Sequence, residues 1–62
     1  GRRWDDAAAT LKVVAERDPN DAQAWLFLGK ALLGKGDPAG ANAAFCKAKA
    51  LGSAEAAAAC GL

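Results

Sequence analysis

The chain has 62 residues and a formal net charge of +1, no His and no Met, and 18 of its 33 apolar residues are Ala. That length holds one small domain, and an Ala-weighted core buries little area per residue, so stability must come from close helix packing or a cross-link. Charges of both signs are interspersed, which excludes the electrostatic footprint of a nucleic-acid or anionic-membrane binder.

The longest apolar run, Ala22 to Gly29, contains Gln23 and falls far short of the roughly 20 residues that span a bilayer, and no signal peptide opens the chain. The chain reads as soluble as it stands. Gly1 reads as a cloning remnant, and the Gly61-Leu62 end reads as the edge of an excerpt from a longer parent. Heavy Ala usage suits a bacterial source of high GC content.

Strand signals are nearly absent. Val occurs only at Val13 and Val14, and Ile and Tyr are missing. Punctuation at Asp18-Pro19-Asn20-Asp21, Gly34-Lys35-Gly36-Asp37-Pro38 and Gly52-Ser53 leaves three helical segments and a short tail. In the first, Trp4, Ala7, Ala8, Leu11, Val14 and Ala15 recur at helical spacing, predicting an amphipathic helix from about Arg3 to Arg17 with Asp5 and Asp6 at its positive end. For the second helix, Asn20 stands at the cap with Gln23 three residues on, and Pro19 stops the first helix. The third has Asp37 at the cap and Pro38 at the first helical position, with an apolar stripe of Ala41, Ala44, Phe45, Ala48 and Leu51. Ser53 caps a last helix through Glu55 to Cys60, ended by Gly61. Links this short force successive helices to lie antiparallel, so the expected fold is all-α, a stack of helical hairpins.

Trp25, Leu28, Gly29, Leu32, Ala41, Phe45 and Ala48 fall at offsets of 0, 3, 4, 7, 16, 20 and 23. This spacing resembles the tetratricopeptide repeat of about 34 residues. Shifted back by one repeat, the same pattern places Ala7, Leu11, Val14 and Pro19 on the second helix and linking Pro of a preceding repeat. The resemblance implies an α-solenoid fragment in one domain: residues 1–21 as the second helix of a preceding repeat with its link, 22–55 as a full repeat, and 56–62 as the start of a capping or next-repeat helix. Ser53 departs from the pattern, standing where a second linking Pro belongs. Physically, Gly29 and Ala41 lack bulk where the hairpin helices cross, and Trp25, Leu28, Leu32 and Phe45 fill the space around that contact.

No catalytic constellation is present. The carboxylates cluster at helix starts and links, where capping and dipole roles explain them, and adjacent Asp5 and Asp6 point in different directions. Two Cys supply half a zinc site, so neither enzyme activity nor a metal or other cofactor is expected. Cys46 and Cys60 admit two readings: small apolar residues on an Ala-rich helix, or a disulfide joining the third helix to the tail. Free thiols would suit the cytoplasm, and a disulfide the periplasm or an extracellular space. Arg2 and Arg3 form a solvated pair before the first helix, with contact to an acidic partner as the alternative.

The second helix carries the functional hint. Gln23, Phe27, Lys30 and Gly34 lie on one line at spacings of four, three and four, with Leu26 and Leu33 beside it, so an aromatic emerges where the helix should be most polar. In tetratricopeptide proteins the first helices line the concave surface that holds partner peptides. The resemblance therefore implies protein–protein interaction, with Gln23, Leu26, Phe27, Lys30 and Leu33 facing a protein or peptide that is apolar with a negative group near Lys30. Against this stands packing of Phe27 and Leu33 on the first helix or the tail. Having only Lys30 among the cationic and amide residues of the family's carboxylate receptors, the chain is not expected to clamp a C-terminal carboxylate. The alternative function is self-association, as a homodimer or by stacking with neighbouring repeats, because fewer than two repeats leave end faces uncovered.

Overall fold

The computed structural model describes residues 2–61, the first of them by its backbone alone. Gly1, Leu62 and the Arg2 side chain lie outside the described residues, and with them the readings of a cloning remnant, of the final Leu and of half of the Arg2-Arg3 pair. Four helices follow in order: α1 (Arg2–Arg17), α2 (Ala22–Lys35), α3 (Pro38–Ala50) and α4 (Ala54–Ala59). No strand occurs among the described residues.

The caps explain most of the boundaries. The Asp37 carboxylate accepts from the Gly40 N–H at 3.0 Å with Pro38 opening α3, and the Ser53 hydroxyl accepts from the Ala56 N–H at 3.1 Å. The start of α2 differs from the sequence expectation. Its cap is Asp21, whose carboxylate accepts from the Gln23 and Ala24 N–H groups at 3.0 and 3.3 Å. Asn20 is held in the preceding turn, which the Asp21 N–H closes on the Asp18 carbonyl at 3.0 Å, with Pro19 at its second position. Asp21→Ala should therefore lower stability by about 1 kcal/mol, whereas Asn20→Ala should change it far less, as urea titrations of the two variants will show. At the other end of α2, Gly36 takes φ 93° and its N–H reaches back to the Leu33 carbonyl at 3.1 Å, the left-handed stop that glycine adopts without strain.

Helices α1 and α3 each pack on α2, and α4 packs on α3. The Cα envelope is 14 Å in its thinnest dimension, about two helix layers at an interaxial spacing of about 9 Å. Among the described residues, eight of the eleven buried apolar side chains are Ala. They form two clusters: Ala8, Ala15, Ala24, Leu28, Ala31 and Ala44 between α1, α2 and α3, and Leu26, Ala41, Phe45, Ala48 and Ala56 between α2, α3 and α4. Trp25 and Leu32 pack against both clusters. At the α2–α3 crossing Gly29 lies directly under the Phe45 ring, so the helices meet where one of them has no side chain.

Three members of the expected apolar stripes are exposed instead. Trp4 and Val14 on α1 are 46% and 41% accessible: α1 packs chiefly on α2, and the Trp4 indole lies over Gly34 of α2 with its outer side uncovered. Leu51 is the C-cap of α3 and turns outward as the helix ends. The last helix starts after the Ser53 cap as expected, at Ala54, and ends at Ala59, one residue before Cys60.

Candidate functional site

Gln23, Phe27, Lys30 and Leu33 all reach the surface of α2. Phe27 is 46% and Leu33 51% accessible, so neither is enclosed in the core. The Lys30 ammonium lies 5.5 Å from the Phe27 ring centroid and 3.4 Å from the Glu55 carboxylate on α4. Glu55 thus occupies the place that a partner's negative group would take beside Lys30. Leu33 borders a small apolar hollow of about 190 Å³ whose other sides are Pro38, Phe45 and Ala59.

Leu26 is a correction. It is buried in the cluster it shares with Ala41, Phe45 and Ala48 of α3 and Ala56 of α4, so it does not belong to the exposed line of α2. The tail owes its position to a few contacts: Ala56 is its one buried residue, the Gly61 N–H donates to the Asn42 side-chain oxygen at 2.6 Å, and Cys60 is joined to Cys46 of α3.

A second and larger concavity lies between α1 and α3, with a volume of about 630 Å³. Its floor is Trp25, Leu28 and Leu32 of α2, and its walls are Ala8 and Ala9 on one side and Gly40, Ala43 and Ala44 on the other. The floor has no unmet polar group, since the Trp25 indole N–H donates to the Pro19 carbonyl at 3.1 Å and the Lys47 ammonium sits 4.6 Å from the indole ring centroid. One end carries Asp5, Lys35 and Asp37, with Asp5 and Lys35 paired at 3.6 Å, and the other carries Lys12, Glu16 and Lys47. The sequence holds a trace of this groove, in the small residues that separate charged ones along Asp5-Ala8-Lys12-Glu16 and Asp37-Gly40-Ala44-Lys47. The facing of α1 and α3 across α2 is visible only once the helices are packed.

Among the described residues no group of three or more His, Cys, Asp or Glu could hold a metal ion, and no helix is long and apolar enough to cross a membrane. Both concavities can cover apolar side chains and the larger can pair with charges, which is the chemistry of recognition.

Compared with known proteins, the chain is matched by the family model for the tetratricopeptide repeat over residues 2–60. No curated protein and no solved structure matches it significantly. Tetratricopeptide repeats are a non-catalytic protein-interaction fold that binds proteins or peptides. With nearly its whole length matched and its helices nested over Gly29, this chain belongs to the tetratricopeptide-repeat family.

Proposed function

We propose that the chain binds a partner protein or peptide through the outer line of α2, with Phe27 as the anchor and Gln23, Lys30 and Leu33 around it. What carries the reading is Phe27, a large aromatic left 46% accessible beside a cation in a chain whose core is otherwise built mostly of Ala. Aromatic anchors of this kind dominate interface energetics, and a neighbouring ammonium adds selectivity for an acidic or aromatic group. A partner carboxylate would displace Glu55 from Lys30, an exchange of one exposed pair for another that changes specificity more than affinity. In this frame α1 is the second helix of one repeat and α2 with α3 form the next.

Phe27→Ala is expected to weaken partner binding by more than about 1 kcal/mol while leaving the helical circular dichroism unchanged, since the side chain supports no core contact. A fall in helicity of the same variant would instead assign Phe27 a structural role and overturn the reading. We also propose an oxidising compartment, periplasmic or extracellular. Its support is the Cys46–Cys60 pair, which uses both cysteines of the chain. Thiol titration of the protein isolated without reductant tests it, and two reactive thiols would count against it.

A further inference from the structure

We propose that the groove between α1 and α3 is a second docking site, and that its occupant is an amphipathic helix of a partner protein, about three turns long, acidic in its first turn, basic in its last and running parallel to α2. This goes beyond the reading of the α2 surface and rests on different residues.

The backbone of the walls favours a helical occupant. Both walls are helices, whose main-chain N–H and C=O groups are already used within α1 and α3, so an extended peptide laid between them would find no ladder to join. A helix satisfies its own backbone and asks nothing of the walls but shape and charge. Small walls make room for it: Ala9 and Ala43 present only methyl groups and Gly40 none, so large side chains can descend onto the half-buried Trp25 and Leu32. The length follows from α1, where Asp5 and Glu16 mark the two ends; eleven steps at 1.5 Å each give about 17 Å.

The direction follows from charge. Asp5 lies against Lys35 at the C-terminal end of α2, while Lys47 lies over Trp25 near its start. The end near Trp25, with Lys12 and Lys47 against Glu16, has an excess of one positive charge; the far end, with Asp5 and Asp37 against Lys35, has an excess of one negative charge. A helix whose acidic first turn meets the lysines and whose basic last turn meets the aspartates matches both ends. The same charge placement suits the helix's own dipole, so the complementary occupant is also the better isolated helix.

The test uses two synthetic peptides with capped termini, identical in composition and carrying Leu at spacings of four: one with Glu in the first turn and Lys in the last, the other with these exchanged. Calorimetric titration into the oxidised full chain should show the Glu-first peptide binding at least about tenfold more tightly, with the difference shrinking as salt is raised. Ala43→Trp, which fills the groove from an exposed wall position, should abolish binding without loss of helicity. Phe27→Ala should leave it unchanged, and Lys12→Glu combined with Lys47→Glu should reverse the preference. Equal affinities, binding of neither peptide, or binding lost in Phe27→Ala but kept in Ala43→Trp would overturn the proposal. So would concentration-dependent dimerisation that Ala43→Trp abolishes, which would make a second copy of this chain the occupant.

Discussion

Gly29→Val is expected to lower stability by about 3 kcal/mol, enough to leave so small a domain largely unfolded at ambient temperature. A Cβ at position 29 would stand 2.6 Å from Cε1 and 2.7 Å from Cδ1 of Phe45. The ring has nowhere to go: it is buried, with Leu26, Ala41, Ala48 and Ala56 in the same cluster. Relief therefore requires α2 and α3 to part, which opens the crossing that joins the two core clusters. Gly34 provides the control. A Cβ there would come as close as 2.4 Å to the Trp4 indole, yet Trp4 is 46% accessible and can turn away into solvent. Gly34→Ala should change stability by less than about 1 kcal/mol, because better helix propensity offsets the lost indole contact. Thermal melts followed by circular dichroism compare the two variants directly, and equal losses would refute the assignment of Gly29 as the crossing point.

Replacing Cys46 and Cys60 together by Ser is expected to cost about 3 kcal/mol, the loop-closure value for a cross-link spanning 14 positions. The structural consequence should be local before it is global. At six residues α4 is too short to persist by itself, and among its own residues Ala56 alone is buried. Its ion pair, Lys30 with Glu55, is exposed on both sides and contributes little. Without the cross-link the tail should detach first, raising amide exchange at residues 54–60 and uncovering Leu26 and Phe45. Hydrogen exchange of the reduced and oxidised protein reads this out, and unchanged protection of the tail after reduction would show that packing alone holds α4.

The helices were legible in the sequence because their stops are chemically distinct: Asp37 with Pro38, Ser53, and Pro19 each satisfy or remove a particular backbone group. Family spacing was legible for a similar reason, since Gly29 and Ala41 mark a crossing that larger residues cannot make. The cap of α2 was misjudged by one position because Asn20 and Asp21 are both good caps, and only the turn closed on Asp18 decides between them. Leu26 was misjudged for a different reason. The cluster that buries it joins three residues of α3 to Ala56 of α4, a helix whose sequence is nearly all Ala and has no apolar period to show which way it packs. The groove over Trp25 was invisible because its walls lie about 30 positions apart in the sequence and never pack directly on a common partner other than α2.

The walls of that groove have one more property. Ala and Gly carry no side-chain torsions to restrict, whereas each long side chain immobilised at an interface loses about 1–2 kcal/mol of rotamer freedom. A surface made of Ala9, Gly40 and Ala43 is already as ordered before contact as after it. On this side of the molecule nearly all of the ordering cost of association is confined to a few lysines and carboxylates at the two ends, so a partner can come and go with little rearrangement of the protein that receives it.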